Sequence, residues 1–240
     1  MYLDIHSHIL PNIDDGAEDL SISQRLLEII HSQNITDIIA TPHFYPMFDN
    51  LEEFIENRQN SINLLLSSVK DTTMPNIYLG CEVLYYSGIS YASGLEKLTL
   101  ANSRYMLLEP DYCLLNAKLQ REILHLRDLG FIPIITHIER YQKAKGFRSF
   151  YKFVKEKRIL AQVNATSFFS KHYNRILKKL VKDNIISFIA SDTHSVDVRP
   201  PMIKPALDKI TAAYGDEYAN RLIKNSQKLL NEITKRENEI

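Results

Sequence analysis

Two histidines stand two residues apart near the start of the chain, in the run Asp4-Ile5-His6-Ser7-His8. The alternation over residues 2–5 predicts a short strand, and side chains two apart on a strand point to the same side. Neutral imidazole is a ligand for zinc, manganese and iron, and a pair held by one strand costs little entropy to organise. The spacing therefore favours a chelating pair over two ordinary polar residues that leave a strand.

Histidines and carboxylates recur where later apolar segments end. With the first pair, the candidate metal ligands are His6, His8, Asp15, His43, Glu82, Glu109, His137, Asp192 and His194. Five of the eight histidines of the chain fall in this set, which is not the pattern of scattered surface histidines. Nine ligands exceed the roughly four to six positions of one ion, so the sequence predicts two or three ions that share a bridging carboxylate. Because no thiolate is included, the ligand mix suits manganese, iron or zinc better than a purely structural zinc site.

Seven short apolar segments are predicted to be the strands that position these ligands. They are residues 2–5, 37–41, 76–81, 103–108, 131–136, 159–163 and 185–190. Amphipathic patterns predict helices at residues 21–34, 50–70, 116–129, 147–157 and 171–184, and two or three more in 202–240. Strands that alternate with helices are typical of parallel βαβ units, whose sites lie at the carboxyl ends of the strands. The sequence therefore predicts an α/β fold, with residues 1–240 forming a single domain because no linker or repeat interrupts it.

Composition limits the classes of partner. Lys and Arg together number 29, and so do Asp and Glu, so the chain as a whole has no basic field for nucleic acid or a membrane surface. Any anion-binding site must be local. Three divalent ions among four carboxylates would leave a local excess of about two positive charges, which suits a phosphate dianion.

The two cysteines, Cys81 and Cys113, exclude one chemical route to phosphate hydrolysis. Neither begins a Cys-x5-Arg loop, since Ser87 and Leu119 occupy the arginine position, so a cysteine-phosphoenzyme is not expected. A strand that begins at Tyr2 leaves no room for a signal peptide, and no apolar run reaches the roughly 20 residues of a membrane span. We therefore expect a cytoplasmic protein without membrane insertion or a disulfide.

The order and spacing of these motifs resemble those of the polymerase-and-histidinol-phosphatase superfamily over essentially the whole chain. Within it, the chain is similar to the bacterial manganese-dependent tyrosine-protein phosphatases that accompany capsule and exopolysaccharide loci. The motifs that carry the resemblance are Asp4-Ile-His-Ser-His8, Asp14-Asp-Gly16, Thr41-Pro-His43, Gly80-Cys-Glu82, Glu109, His137-Ile-Glu-Arg-Tyr141 and Ser191-Asp-Thr-His194 through Arg199-Pro-Pro201.

The resemblance implies a distorted seven-stranded, TIM-like (β/α) barrel that holds three metal ions. It assigns the ligands to ions in three groups: His6, His8, Glu82 and Asp192; Glu82, Glu109 and His137; Asp15, His43 and His194. It also assigns Arg140 and Arg199 to the phosphate, which guanidinium groups bind in a bidentate manner. No residue of the sequence matches an acid for the leaving group.

The function that the resemblance implies is hydrolysis of phosphotyrosine in proteins by a metal-bound hydroxide, with manganese as the expected metal. The substrate by family analogy is the phosphorylated tyrosine tail of a bacterial autokinase that controls polysaccharide export. A small-molecule phosphatase of the histidinol-phosphate type or a phosphodiesterase of the same superfamily is the nearest alternative. Amidohydrolases also carry His-x-His on a first barrel strand, but Glu109 stands where those enzymes commonly have a carbamylated lysine. A module that binds the phosphorylated tail without turnover is the non-enzymatic alternative.

Overall fold

Parallel strands and helices alternate along the chain in a computed structural model that describes residues 2–68 and 74–237. The strands in this part of the chain are β1 (Leu3–Ser7), β2 (Asp37–Ala40), β3 (His43–Phe44), β4 (Asn76–Leu79), β5 (Glu82–Leu84), β6 (Tyr105–Glu109), β7 (Ile132–Ile135), β8 (Leu160–Asn164) and β9 (Ile186–Ala190). The α-helices are α1 (Leu20–Ser32), α2 (Leu51–Ser68), α3 (Ala117–Asp128), α4 (Phe147–Lys157), α5 (Asn174–Lys182), α6 (Ile203–Tyr214) and α7 (Asp216–Glu237).

The strands form a distorted ring. One sheet has the order β1-β2-β4 and the other has the order β3-β5-β6-β7-β8-β9, and every pairing is parallel. Only two residues separate β2 from β3 and β4 from β5, so each pair is one bent strand and the ring has seven positions. Past the end of β9, Asp192 N donates to His6 O at 2.9 Å and His8 N donates to Thr193 O at 3.0 Å, which joins β9 to β1. The predicted α/β fold and seven-stranded barrel are confirmed.

Several strands and helices begin or end at residues other than the predicted ones. The third strand was expected to run over residues 76–81 and to end before Glu82, but it breaks at Gly80 and Glu82 begins β5. A side chain at position 80 would meet Leu100 at 2.8 Å and Ile39 at 3.0 Å, so the chain bends where the neighbouring layer is closest. The helix expected at 171–184 begins instead at Asn174, after a 3₁₀ turn over Lys171–Tyr173.

Helix starts follow the capping residues that the sequence offers. Asn50 Oδ1 accepts from the backbone N–H groups of Glu52 and Glu53 at the start of α2. Asn116 Oδ1 accepts from Leu119 N at 2.9 Å at the start of α3. The predicted end of α2 near residue 70 lies outside the described residues, and the described part of residues 202–240 contains two helices.

The core lies on both sides of the strands. Every residue of β1, β6 and β9 is buried, as expected for strands covered on both faces. One buried cluster joins strand side chains to Leu229, Leu230 and Ile233 of α7, and a larger one includes buried side chains from the other six helices. Among the described helices, none combines the length and apolar character that crossing a membrane requires.

Candidate metal centre

His6 and His8 lie on the same side of the chain at the end of β1, as their spacing predicts. Both imidazoles are buried, and their Nε2 atoms lie 3.1 Å apart. These nitrogens lie 3.2 and 3.6 Å from Glu82 Oε2, and 3.4 and 3.5 Å from Asp192 Oδ1. One ligand atom from each of the four residues lies within 4.8 Å of the other three, close enough for one ion to contact all four.

Asp15 stands in the loop after β1 and brings two further histidines together. Its Oδ1 atom lies 3.3 Å from His43 Nε2 and 3.3 Å from His194 Nε2. The ring of His8 packs against both, with centroid distances of 4.5 Å to His43 and 3.9 Å to His194. Ligand atoms of these four residues form a second group within 4.8 Å. The Asp15 side chain is 65% exposed, so the centre opens to solvent at this residue.

Glu82 lies between the groups and contacts histidines from several strands. Its Oε1 atom lies 3.0 Å from His137 Nε2, and its Oε2 atom lies 3.1 Å from His43 Nδ1. Glu109 lies 3.5 Å from His137 Nε2 and 4.0 Å from His43 Nδ1. A third group within 4.8 Å consists of His43, Glu82 and Glu109. The grouping differs from the expected one in two details, since His8 belongs to two groups and His43 joins the carboxylates that were expected to pair with His137.

Burial and close charges displace the pKa values of several groups at this centre. Burial by itself would raise the pKa of the Glu82 carboxyl, but the adjacent histidines hold it well below its usual range. For Glu109, burial and the neighbouring Glu82 carboxylate raise the pKa. Burial opposes the charged form of His8, yet the carboxylates of Asp14 and Glu82 raise its pKa to about 10. The centre thus stabilises positive charge placed among its carboxylates, which is what a bound divalent cation supplies.

Three buried atoms test whether a metal ion fits this centre. His43 Nδ1, Glu82 Oε2 and His194 Nε2 lie 3.1–3.3 Å from neighbouring nitrogen or oxygen atoms, but within the described ranges none of these contacts has the geometry of a hydrogen bond. Nitrogen and oxygen atoms of this kind are ligands for first-row divalent ions, which would satisfy them. Cys81 precedes Glu82 but lies in none of the three groups, and its thiol donates to the Leu98 carbonyl at 3.2 Å. The residues present therefore fit ions bound by imidazole and carboxylate.

Arg140 and Arg199 both reach the carboxylate of Asp192. Arg199 Nη2 lies 2.7 Å from Asp192 Oδ2, and Arg140 Nη1 lies 3.7 Å from the same oxygen. Their side chains are 34% and 35% exposed, so both guanidinium groups lie between the buried centre and solvent. The ring of Tyr112 supports Arg140, with the guanidinium carbon 5.0 Å from the ring centroid.

Asp14 is a site residue that the sequence reasoning missed. Its Oδ2 atom lies 2.7 Å from His8 Nδ1 and also accepts from the His43 backbone N–H at 3.1 Å. A carboxylate that holds the second nitrogen of a ligand histidine fixes the ring orientation and the tautomer. Two adjacent aspartates before a glycine offered the signal, but only the second, Asp15, was predicted to be a ligand.

Two amide side chains of β8 also lie at the centre, although this strand end carries no expected ligand. Gln162 Oε1 accepts from the His137 backbone N–H at 2.7 Å and lies 3.3 Å from His6 Nδ1. Asn164 Nδ2 donates to Asp192 Oδ2 at 2.5 Å, and Gln162 Nε2 donates to Asn164 Oδ1 at 2.7 Å. These two amides link three proposed ligands, His6, His137 and Asp192. In the sequence, only their spacing of two residues on one strand indicated that they share a side.

A ring of parallel strands with histidines and carboxylates gathered at one end defines a (β/α) barrel with a candidate metal centre. The chain superposes on a histidinol phosphate phosphatase from Lactococcus lactis subsp. lactis Il1403, solved with zinc, L-histidinol and phosphate, with a TM-score of 0.53 and 16% sequence identity. The match covers 94% of this chain and 93% of that chain. At this identity the likeness supports the fold alone.

The chain belongs to the family described as capsular polysaccharide synthesis, CpsB/CapC, whose model matches residues 2–231. It is 29% identical over 239 residues to the tyrosine-protein phosphatase CpsB of Streptococcus agalactiae serotype III (strain NEM316), covering 95% of this chain and 98% of that protein. It also matches a chain from the crystal structures of YwqE from Bacillus subtilis and CpsB from Streptococcus pneumoniae, described as metal-dependent tyrosine phosphatases. That match has a TM-score of 0.82 and 28% identity, and covers 96% of this chain and 94% of that chain.

Proposed function

We propose that this protein hydrolyses phosphotyrosine in proteins and requires divalent metal ions to do so. The observation that carries the proposal is the convergence of nine histidines and carboxylates beside two partly exposed arginines. The name of the Streptococcus agalactiae relative and the metal dependence of the superposed phosphatases support it.

The distances between their ligand atoms sort the proposed ligands into three sets, one for each proposed ion. They are His6, His8, Glu82 and Asp192 for one ion; Asp15, His43 and His194, with His8 beside them, for a second; and Glu82, Glu109, His43 and His137 for a third. Ions bound there would supply Lewis-acid chemistry, activating water and neutralising phosphoryl charge. Manganese is the proposed metal, with iron or zinc as alternatives, because the donors are imidazoles and carboxylates without a thiolate.

The residues of the chain itself would bind and orient the phosphate. Arg140 and Arg199 present guanidinium groups at the opening of the centre, and each can donate two hydrogen bonds to phosphate oxygens. Asp192 holds both guanidinium groups near the proposed ligands, so a phosphate bound by the arginines would also face the centre. A phenol leaving group has a pKa near 10, which reduces the need for a strong acid.

The proposed substrate is the phosphorylated tyrosine tail of a bacterial autokinase that controls capsule or exopolysaccharide export. The description of the family as one of capsular polysaccharide synthesis supports this choice. We further infer that residues 1–240 act as a single domain and that the reaction takes place in the cytoplasm. Loss of phosphate from the autophosphorylated kinase on incubation with the protein would test the substrate assignment.

The direct test measures phosphate release by metal-stripped protein, with and without manganese. A phosphotyrosine peptide and histidinol phosphate are compared as substrates. We expect turnover of the peptide only when manganese is present. Preference for histidinol phosphate would favour the small-molecule alternative, and tight binding of the peptide without turnover would favour the tail-binding module.

Two substitutions connect the activity to the centre. His6→Ala removes a proposed ligand and Arg140→Ala removes a phosphate contact, so each should lower kcat/KM at least about 100-fold. Arg148→Ala is the control, because Arg148 is an exposed arginine on α4 outside the three ligand groups. Activity close to that of the wild type in either site variant would contradict the assignment.

A further inference from the structure

Phe48 is 88% exposed, the highest value among the large hydrophobic side chains described as exposed. It lies in the loop between β3 and α2, and its backbone N–H donates to Tyr45 O at 2.8 Å. The N–H of Asp49 donates to the same carbonyl at 2.8 Å, and the Asp49 carboxylate accepts from Tyr45 N at 2.5 Å. These hydrogen bonds close the turn and hold the backbone that carries Phe48, so the turn presents its side chain to solvent.

The exposed ring stands at a cleft that leads to the proposed metal ligands. The cleft has a volume of about 280 Å³ and is lined by Asp15, His43, Tyr45 and Phe48 together with residues from the start of α2. The Tyr45 ring stacks on the His43 ring, with centroids 5.0 Å apart and planes 23° apart. Two aromatic rings and two proposed ligands therefore share one small cavity.

The position of Arg199 indicates which part of a bound phosphate ester would face this cleft. Asp15 lines both this cleft and a second one that contains His194, Val198 and Arg199. A phosphate bound by Arg199 at the metal centre would thus have the guanidinium group on one side of Asp15 and the aromatic cleft on the other. The ester oxygen and its organic group can then extend toward Tyr45 and Phe48.

We propose that Tyr45 and Phe48 form an aryl subsite, which binds the ring of the substrate tyrosine and makes the enzyme prefer aryl over alkyl phosphate esters. The inference rests on the proposed phosphatase function and adds the residues that set its specificity. Aromatic rings attract one another through stacked or edge-to-face contacts, and an alkyl ester such as phosphoserine has no ring to offer. Phe48 lies in none of the three ligand groups, so its substitution should affect binding of the substrate ring and not binding of the metal ions.

The experiment compares Phe48→Ala with the wild type on one peptide that carries either phosphotyrosine or phosphoserine. With manganese present, kcat/KM for the phosphotyrosine peptide should fall about 10-fold, mostly through KM, while the value for the phosphoserine peptide stays unchanged. Phe48→Tyr retains a ring and should restore the preference. Because Phe48 is exposed, its truncation removes little buried surface, and equal melting temperatures of variant and wild type would verify that the fold is intact.

Two matched controls separate the subsite from general surface effects. Met47 precedes Phe48, is 78% exposed and does not line the cleft, so Met47→Ala should leave both substrates unaffected. Val198→Ala changes an equally exposed side chain of the second cleft and should also leave the aryl preference unchanged. Equal losses on both peptides, or a loss of preference in either control, would overturn the aryl subsite while the phosphatase function stands. A wild type that releases no phosphate from the phosphotyrosine peptide would overturn both proposals.

Discussion

The Asp14 carboxylate holds two parts of the metal centre in place at once, through His8 Nδ1 and the backbone N–H of His43. Asp14→Asn keeps the size of the side chain but replaces its negative charge with a neutral amide. We expect a 10- to 100-fold loss of manganese affinity, roughly the effect of removing a carboxylate that orients a ligand histidine. Calorimetric titration of the metal-stripped protein with manganese would measure this directly, without an activity assay.

The control for Asp14 is another acidic residue of the same loop. Glu18→Gln removes one negative charge from an exposed position, so it reports the general electrostatic effect on cation binding. A loss of affinity as large in Glu18→Gln as in Asp14→Asn would show that overall charge, and not the orientation of His8, accounts for the change.

The sequence identified side chains that share a local signal, apart from Asp14, and it missed those that act only through tertiary contacts. The nine candidates follow apolar segments, which made them visible one strand at a time. Gln162 contacts His137 and His6, which lie 25 and 156 residues away in the chain, so no local pattern connects them. Tyr112 likewise contacts Arg140 from another strand end. Such supporting contacts depend on how the strand ends converge, which spacing alone does not specify.

The loop between β1 and α1 reaches the metal centre because it folds back on His8. Ala17 N donates to His8 O at 3.0 Å, and Gly16 packs so closely that an added Cβ would lie 2.3 Å from His8 O. Gly16→Ala must therefore displace the backbone that carries Asp14 and Asp15. We expect it to destabilise the fold by about 2–4 kcal/mol and to weaken manganese binding. Urea unfolding and the calorimetric titration would measure the two effects.

A second glycine separates this steric clash from backbone strain. Gly130 lies two residues past the end of α3 with a φ of +93°, and an added Cβ would meet no atom within 4 Å. Gly130→Ala should cost about 1–2 kcal/mol for the left-handed backbone and leave the metal affinity unchanged. If both alanine variants lowered metal affinity equally, the effect would reflect general destabilisation and the role of the loop would be refuted.

The elements that were predicted well are those whose apolar residues form a clear local pattern in the sequence. The strands β6 to β9 and the helices α3 and α4 begin and end within about two residues of the predicted bounds, since apolar runs mark the strands and Asn116 caps α3. The bends between β2 and β3 and between β4 and β5 were not predicted. They occur together because the two strands pair, and Glu82 N donates to Pro42 O at 3.0 Å across the bend. His137 and Asp192 have φ values of +27° and +48°, conformations that only tertiary contacts maintain.

At the scale of the whole molecule, the barrel gathers buried carboxylates whose mutual repulsion works against folding. Glu82, Glu109 and Asp192 are each no more than 5% exposed, and they come from the start of β5, the end of β6 and the loop after β9. Histidine protons offset part of their charge in the absence of a cation, as the raised pKa of His8 shows. A bound divalent ion would replace those protons, so occupation of the centre should stabilise the entire fold.

Adding manganese to metal-stripped protein should therefore raise its melting temperature. At a manganese concentration 100 times Kd, the stabilisation is about 2.7 kcal/mol per independent site, which for a chain of this length corresponds to about 5–10 °C. Scanning calorimetry at constant ionic strength would measure the shift, with Glu82→Gln as the comparison because this residue contacts two of the three groups. We expect the shift to be much smaller in the variant, whatever its melting temperature without metal. An equal shift in the two proteins would show that the stabilising ions bind elsewhere on the molecule. It would contradict a buried metal centre in which Glu82 is a shared ligand.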